Sequence, residues 1–295
     1  MVNWGRILTA MVTPFKADGS LDVEGARRLA SYLVEHGSDG LVVAGTTGES
    51  PTLTHEEKLA LFKAVKEEVG GRATVIAGTG TNSTAASIEL SKEAEETGVD
   101  GLMLVVPYYN RPSQEGLYRH FKAVAEATSL PILLYNIPSR TGRNMEVDTV
   151  SRLAEIKNIV ALKEASGDLD QAAAILRKVP EGFLLYSGDD SLTLPMMAVG
   201  GYGIVSVASH VVGEKMQAMI QAFLSGDVAR AARLHQELMP TFKALFVTTN
   251  PVPVKAALNM LGLPAGPVRL PLVEPTEAEL LKIEAGLKAA GLLQA

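Results

Sequence analysis

The chain has 295 residues, 47% hydrophobic and 20% charged, a composition typical of a globular protein with a large core. Its formal net charge of −6 gives no indication of a nucleic-acid or anionic-membrane partner, and the absence of cysteine excludes disulfides and thiolate metal sites. The N-terminus lacks the layout of a signal peptide, and no apolar run reaches the roughly 18–20 residues that span a bilayer, so we expect a cytoplasmic protein.

Short apolar runs alternate with helical patterns along most of the chain. Thr54, with Glu57 at the capping-box position, precedes one helical apolar stripe, and Ser113 precedes another. Eight alternating units imply parallel pairing through right-handed crossovers and favour a closed (β/α)8 TIM barrel over an open doubly wound sheet. The predicted strands are residues 7–13, 40–44, 74–78, 101–106, 132–136, 159–163, 183–187 and 203–207.

The pattern changes after about residue 210. Residues 216–223 are predicted to form the last barrel helix, and Ser225-Gly226-Asp227 ends it. Helical periodicity without strands then continues over residues 229–245, 254–261 and 277–290, with glycine and proline in the turns between them. We therefore predict an α/β fold in which residues 1–224 form a (β/α)8 catalytic barrel and residues 225–295 form a C-terminal helical domain.

Lys163 ends the sixth predicted strand, and the polar turn Ser166-Gly167-Asp168 follows. Lysine is seldom buried without a partner or a function, and burial lowers its pKa and frees the amine as a nucleophile. The residue is thus a candidate Schiff-base lysine at the strand end where TIM barrels carry their active sites. Taken alone, the segment favours the alternative of a strand-end lysine that extends its ammonium into solvent. The next helix is predicted to bury Leu169, Ala173 and Leu176.

Other polar residues follow neighbouring strands. Residues 45–50, Gly-Thr-Thr-Gly-Glu-Ser, offer amides and hydroxyls suited to a carboxylate, although an ordinary glycine turn is equally compatible with them. Tyr108 and Tyr109 follow the fourth strand, where a lone tyrosine usually has a structural role. Tyr135 ends the fifth strand as a possible proton carrier, and Arg140 lies in the next loop as a possible carboxylate anchor.

The sequence gives no indication of a metal or an organic cofactor. Asp189 and Asp190 follow the seventh strand, where they more simply cap the next helix than bind a metal. The five histidines show no ligand spacing, and nucleotide-binding fingerprints are absent. The remaining set of lysine, tyrosine, threonine and arginine fits carbonyl chemistry, with an imine, a hydroxyl relay and a carboxylate anchor.

Several motifs in order resemble the dihydrodipicolinate synthase family, over residues 5–272 and onward. This resemblance implies a (β/α)8 barrel with a C-terminal helical domain, usually a homotetramer, within the superfamily of N-acetylneuraminate lyases and other Schiff-base class I aldolases. It implies condensation of pyruvate with L-aspartate 4-semialdehyde, the first committed step toward diaminopimelate and lysine. The motifs are Gly45-Thr46-Thr47-Gly48-Glu49, Pro107-Tyr108-Tyr109-Asn110, Tyr135-Asn136-Ile137-Pro138-Ser139-Arg140-Thr141, Leu162-Lys163-Glu164-Ala165-Ser166 and Asn250-Pro251-Val252-Pro253-Val254-Lys255.

The resemblance also implies roles for single residues. Lys163 would form the imine with pyruvate, and Tyr135 would shuttle protons, linked through Thr47 to Tyr109 of a neighbouring subunit. Thr46 and Thr47 would hold the pyruvate carboxylate.

Three further residues complete the implied site. Gly188 and Val205 would close the pyruvate pocket, and Arg140 would anchor the carboxylate of the aldehyde, which a bidentate guanidinium does better than an ammonium. Glu164 and Asp168 are expected to be structural.

A regulatory lysine site of the family is only partly matched here. Ser50, His55, Asn82 and Tyr108 agree with it, and three other positions depart from it. A cationic ligand would lose its carboxylate partner and meet a like charge, so we expect weak or absent inhibition by lysine. The departing residues are Pro51, Lys58 and Ala86.

Two other functions remain open on the sequence. Another pyruvate-dependent aldolase, such as an N-acetylneuraminate lyase or a keto-deoxy-sugar aldolase, would share the same core chemistry, although Arg140 and the Tyr-Tyr-Asn loop favour a short aldehyde that bears a carboxylate. An inactive barrel that only senses carboxylates is the second alternative. The intact set of Lys163, Tyr135, Thr47 and Tyr109 argues against it.

Overall fold

The computed structural model describes residues 2–294, and within this range eight parallel strands close into a barrel in chain order, with β8 pairing back to β1. This confirms the predicted (β/α)8 architecture. The strands are β1 Ile7–Ala10, β2 Gly40–Val43, β3 Thr74–Gly78, β4 Gly101–Val105, β5 Ile132–Asn136, β6 Ile159–Glu164, β7 Leu184–Ser187 and β8 Gly203–Ser206.

Helices follow the strands, and three more extend beyond the barrel. They are α1 Val23–Glu35, α2 His55–Val69, α3 Thr84–Glu96, α4 Gln114–Ala125, α5 Pro138–Thr141, α6 Val147–Ala154, α7 Leu169–Lys178, α8 Thr193–Ala198, α9 Ser209–Leu224, α10 Val228–Ala244, α11 Val252–Met260 and α12 Glu277–Ala289. No helix within residues 2–294 is both long and apolar enough to cross a membrane.

The strands separate two apolar layers because successive side chains point to opposite faces. Along β5, Ile132 and Leu134 belong to the layer between strands and helices, whereas Leu133 and Tyr135 belong to the layer inside the barrel. Along β6, Leu162 belongs to the outer layer and Ala161 to the inner one. The same alternation turns Lys163 toward the barrel interior.

The predicted helix starts are confirmed. Thr54 and Glu57 form both hydrogen bonds of a capping box at α2, and the Ser113 side chain accepts from the amide of Gly116 at α4. The predicted burial of Ala173 is wrong. It is exposed, because α7 presents Ala172 and Ile175 to the barrel instead.

The first strand is shorter than predicted. Its pairing ends at Ala10, and the chain then turns across the barrel end, where the Val12 amide donates to His210 Nε2 at 3.1 Å. The Thr13 hydroxyl donates to the carbonyl of Gly48 at 2.7 Å, so the segment after β1 supports the loop after β2.

The C-terminal helices lie close to their predicted positions and pack on the barrel. Helix α9 ends at Leu224, and α10 packs against both α9 and α12. The division into domains 1–224 and 225–295 stays a prediction.

Candidate active site

Lys163 and Tyr135 lie side by side on neighbouring strands. They are register partners of β6 and β5, and Lys163 Nζ lies 4.0 Å from the centroid of the Tyr135 ring. Lys163 is 5% exposed and Tyr135 is 3% exposed. The lysine therefore does not extend into solvent, which removes the simplest structural alternative to a nucleophile.

Burial changes the titration of both groups. It lowers the pKa of Lys163 to about 7, with the negative charge of Asp190 opposing that shift and the positive charge of Arg140 adding to it. Burial also raises the pKa of Tyr135 to about 12, opposed by Thr46 and Arg140. At neutral pH the site thus combines an amine that is only partly protonated with a phenol that keeps its proton.

The loop after β2 places two threonines at the same end of the barrel. Thr46 lines a cavity of about 370 Å³ that Tyr135 and Arg140 also line. Thr47 is 2% exposed, and its Oγ1 accepts a hydrogen bond from Asn250 Nδ2 at 2.9 Å. A hydroxyl that accepts in this way keeps its own hydrogen for donation toward the site.

This loop is fixed in an unusual backbone conformation. Ala44 and Glu49, which flank it, have φ values of +52° and +54°, and Tyr109 and Arg111 in the loop after β4 have φ values of +72° and +48°. Non-glycine residues in this region carry a cost of about 1–3 kcal/mol each and are concentrated at functional sites. Within residues 2–294, all four such residues lie in these two loops.

Gly188 and Val205 also lie beside the lysine. A Cβ added to Gly188 would stand 3.2 Å from Lys163 Cε and 2.6 Å from the Ala165 Cβ. Glycine is therefore required mainly by the close approach of the chain after β7 to Ala165, and a side chain there would also crowd Lys163. Val205 is 1% exposed and belongs to the interior cluster that contains Tyr135.

Arg140 is exposed at the cavity, where its Nη2 donates to the backbone carbonyl of Asn250 at 3.1 Å. Within the described chain no carboxylate pairs with this guanidinium. It is therefore available to an anionic group of a ligand. Asn250 links Arg140 to Thr47, because its side-chain amide donates to Thr47 and its backbone carbonyl accepts from Arg140.

Tyr109 lies apart from the other predicted catalytic groups. Its side chain is 90% exposed, and Tyr108 is 36% exposed. The single chain does not bring the Tyr109 phenol into the buried cluster of Lys163, Tyr135 and Thr47.

The two aspartates after β7 differ in role. Asp189 accepts from the amide of Ser191, which confirms it as a cap. Asp190 is 1% exposed and instead accepts from the Ser206 hydroxyl at 2.5 Å and the Ala208 amide at 2.9 Å, so its predicted capping role is wrong. Its burial raises its pKa to about 6. Among residues 2–294 no group of three or more possible ligands could hold a metal ion.

The structural assignments of Glu164 and Asp168 agree with their contacts. Glu164 is 1% exposed and accepts from the side chains of Asn136 and Gln171 and from the Ser166 amide. Asp168 caps α7. Both carboxylates thus accept local hydrogen bonds that support the backbone after β6.

The residues of the predicted regulatory site are only partly brought together. Ser50, Pro51, Lys58 and Tyr108 line the 370 Å³ cavity. The other three members, His55, Asn82 and Ala86, do not line it.

Two of these three have contacts of their own. His55 Nε2 lies 2.8 Å from Glu93 Oε2, and the Asn82 carbonyl accepts from Asn110 Nδ2 at 2.9 Å. Ala86 stands in the first turn of α3.

Two residues of the site are not predicted from the sequence. The sequence indicates Asp190 only as a cap or a metal ligand, and Asn250 only as part of a motif. The one available signal for Asn250 was its place in the segment 250–255, far from the other site residues along the chain.

Comparison with known proteins agrees with this geometry. A model of the dihydrodipicolinate synthetase family matches residues 3–290. The chain belongs to this family. It is 78% identical over 292 residues to the 4-hydroxy-tetrahydrodipicolinate synthase of Moorella thermoacetica, covering 99% of this chain and 100% of that protein.

Solved structures of the dihydrodipicolinate synthetase family share the fold. The crystal structure of a dihydrodipicolinate synthase from Bacillus anthracis has a TM-score of 0.96 and 54% identity, covering 98% of this chain and 99% of that one. The enzyme from Cyanidioschyzon merolae, crystallised with lysine bound, has a TM-score of 0.97 and 52% identity, with the same coverage of 98% and 99%.

Proposed function

We propose that the chain condenses pyruvate with L-aspartate 4-semialdehyde, the 4-hydroxy-tetrahydrodipicolinate synthase reaction. The observation that carries this proposal is the buried amine of Lys163, whose pKa is about 7, beside the Tyr135 ring. Membership of the family and 78% identity to the synthase of Moorella thermoacetica support this substrate pair. The enzyme is a lyase of the diaminopimelate and lysine biosynthetic route, and it needs no resident cofactor.

The proposed reaction begins with the attack of Lys163 Nζ on C2 of pyruvate, with loss of one water to give an imine. Removal of a proton from C3 gives an enamine, and C3 then attacks the aldehyde carbon, whose oxygen takes a proton and becomes a hydroxyl. The amino group of the former semialdehyde attacks C2, closes the ring and displaces Lys163. The lysine is regenerated, and one water is released in all.

Proton transfer is assigned to a hydroxyl relay. Tyr135, with a pKa of about 12, keeps its proton at neutral pH and can deliver it to a developing alkoxide. Thr47 is held by Asn250 with its own hydrogen free, which suits it to connect Tyr135 with a second phenol. We assign that phenol to Tyr109 of a neighbouring subunit, and its 90% exposure on its own chain supports the assignment.

The two substrate carboxylates have separate anchors in this proposal. Thr46 and Thr47 hold the carboxylate of pyruvate in a pocket completed by Gly188 and Val205. Arg140, which lacks an acidic partner on the described chain, holds the carboxylate of the aldehyde. The aldehyde is thereby directed toward the enamine on Lys163.

Assembly and location follow from the same proposal. We infer a homotetramer, a dimer of dimers, from the resemblance to the family, and completion of the relay by Tyr109 across a subunit boundary requires at least two subunits. We also infer a cytoplasmic location. The C-terminal segment 225–295 is proposed to act as a helical domain that supports the site loops.

Regulation by lysine is proposed to be weak or absent. A related enzyme from Cyanidioschyzon merolae has been crystallised with lysine bound. Here the cavity is lined by Lys58, and burial lowers the pKa of that residue with no acidic neighbour to oppose the shift. A cationic ligand would be repelled there. Half-maximal inhibition by micromolar to low-millimolar lysine in an initial-rate assay would overturn this expectation.

The activity is tested by incubating the protein with pyruvate and L-aspartate 4-semialdehyde, beside a parallel reaction with pyruvate and N-acetylmannosamine. We expect product only from the first pair. Product from the second pair alone would identify a sugar-acid lyase, and pyruvate binding without product from either pair would favour a carboxylate sensor.

A further inference from the structure

The loop after β4 holds Tyr109 in a strained backbone conformation. The Asn110 amide donates to the Tyr108 carbonyl at 2.9 Å, and Tyr109 between them has a φ of +72°. This is the pattern of a classic γ-turn, which is rare and strained in proteins. Arg111 follows with a φ of +48°, so two of three consecutive residues adopt a conformation that is unfavourable for a side chain. Such a loop keeps its shape only where neighbouring contacts hold it.

Contacts from both neighbouring loops hold this segment. On one side, Asn110 Nδ2 donates to the Asn82 carbonyl in the loop after β3 at 2.9 Å. On the other side, Arg111 Nε donates to the Gly142 carbonyl at 3.2 Å, and Arg143 Nη2 donates to the Arg111 carbonyl at 3.2 Å. Arg111 and Arg143 thus form a reciprocal arginine clasp between the loop after β4 and the segment that follows α5.

The arginine clasp differs from an ordinary surface ion pair. Within residues 2–294 no carboxylate pairs with either guanidinium, and both donate to backbone carbonyls instead. Arg119 in α4 shows the ordinary pattern, since its Nε lies 2.8 Å from Glu115 Oε1. The clasp also adjoins the cavity of the candidate active site, because Gly142 immediately follows Thr141, which lines that cavity. Its hydrogen bonds therefore fix the course of two backbone segments at the rim of the site.

We propose that Arg111 is a positioning residue that presents Tyr109 to the active site of a neighbouring subunit, with Arg143 holding Arg111 in place. This inference rests on the proposed hydroxyl relay, which Tyr109 completes across a subunit boundary. The Tyr109 side chain is 90% exposed, so contacts within its own chain do little to fix the phenol. The direction of the phenol is therefore set by the backbone of the γ-turn, and through that backbone by the arginine clasp.

Loss of the arginine clasp should release the loop without disturbing the chemistry on Lys163. Because a positive φ is unfavourable for both strained residues, a loop without its hydrogen bonds relaxes toward ordinary backbone conformations. The Tyr109 phenol then occupies its relay position for a smaller fraction of the time, and turnover falls with that fraction. Imine formation between Lys163 and pyruvate does not use this phenol, so pyruvate trapping should persist.

Three methionine variants of the full-length protein test the positioning role. Methionine keeps an unbranched side chain and removes only the guanidinium. Arg111→Met is expected to lower kcat by about tenfold or more, since a proton-transfer group is partly lost, with little change in the KM for pyruvate. Arg143→Met should lower kcat by less, and the matched control Arg119→Met should leave it unchanged. Circular dichroism, sedimentation and pyruvate trapping establish that each variant is folded and assembled like the parent protein.

Mixed assemblies test whether Arg111 acts through Tyr109 of the neighbouring subunit. Arg111→Met subunits are produced together with Lys163→Ala subunits under two affinity tags, and the doubly tagged species is isolated. In such a species the intact Lys163 of one subunit receives a correctly held Tyr109 from the other, so activity should recover as far as it does with Tyr109→Phe in place of Arg111→Met. A residue that served its own subunit's site would show no such recovery.

The outcomes separate this inference from the proposed function. Product formation by the parent protein and the adduct on Lys163 test the function itself, and the turnover of Tyr109→Phe tests the relay. Slow turnover in Tyr109→Phe beside normal turnover in Arg111→Met would overturn the positioning role alone. The same holds if the Arg111→Met mixture fails to recover where the Tyr109→Phe mixture does, or if Arg111→Met raises the KM for pyruvate at unchanged kcat, because Arg111 would then bind substrate directly.

Discussion

Lys255 Nζ lies 2.8 Å from Glu49 Oε1, in a contact where the two side chains are only 2% and 0% exposed. The same ammonium donates to the carbonyls of Thr13 and Pro267, and the other oxygen of Glu49 accepts from the Arg269 amide at 2.9 Å. Glu49 immediately follows Thr46-Thr47-Gly48 along the chain. The C-terminal helical segment therefore fixes one end of the threonine loop through a buried ion pair.

Removing one member of this pair should be strongly destabilising. Glu49→Gln and Lys255→Met each leave a buried polar or charged group without its partner, and we expect each to lower the free energy of unfolding by about 3–5 kcal/mol. The double variant should lower the free energy of unfolding by less than the sum of the two single variants, because neither charge is then left without its partner. Urea unfolding of the four proteins measures this, and strictly additive costs would show that the pair is not coupled.

Asp190 should set the pH range of imine formation. The neutral amine of Lys163 is the nucleophile, so the rate should rise with pH and level off above about 7, the pKa of that lysine. The negative charge of Asp190 favours the ammonium form, and Asp190→Asn should therefore move the midpoint of this rise to lower pH. The pH dependence of pyruvate trapping measures the shift. An unchanged or higher midpoint would contradict the assigned electrostatic role.

Arg140 should affect the binding of the aldehyde and not that of pyruvate. Arg140→Ala is expected to leave the extent of pyruvate trapping intact and to raise the apparent KM for L-aspartate 4-semialdehyde by about ten- to a hundredfold, since a charge-assisted contact of about 1.5–3 kcal/mol is lost. Arg140→Lys should restore only part of the affinity. Steady-state kinetics with each substrate varied in turn measure both effects. If trapping were lost instead, Arg140 would belong to the pyruvate site.

Tyr109 should act across a subunit boundary. Tyr109→Phe is expected to reduce turnover by about 10²–10⁴-fold while pyruvate is still trapped, because only proton transfer is impaired. Mixing Tyr109→Phe subunits with Lys163→Ala subunits should restore part of the activity, since some sites then receive an intact tyrosine and an intact lysine. Sedimentation identifies the assembled species. Full specific activity in a monomer would contradict the shared site.

The barrel could be predicted because its signals are local. The observed β3 and β5 have the predicted bounds, 74–78 and 132–136, since apolar runs and flanking turns are readable from neighbouring residues. The predicted end of β1 lies three residues beyond the observed one, because the apolar run continues past Ala10 while strand pairing stops there.

The contacts that hold the site residues in place are harder to predict than the reactive groups themselves. Lys163, Tyr135 and the threonine loop fall at strand ends, a position that the repeat of strands and helices reveals. The contact between Asn250 and Thr47 joins residues 203 positions apart, and no local pattern encodes it. The carboxylate of Asp190 accepts from Ser206 at the end of β8 and from the Ala208 amide just beyond it, and these contacts depend on how two distant segments meet.

The central claim is that Lys163 forms a covalent imine with pyruvate, and borohydride reduction followed by mass spectrometry of the intact protein and its peptides tests it most directly. We expect one reduced pyruvate per chain, located on Lys163, and no adduct in Lys163→Ala. An adduct on another lysine, or none at all in folded protein, would contradict the proposed mechanism.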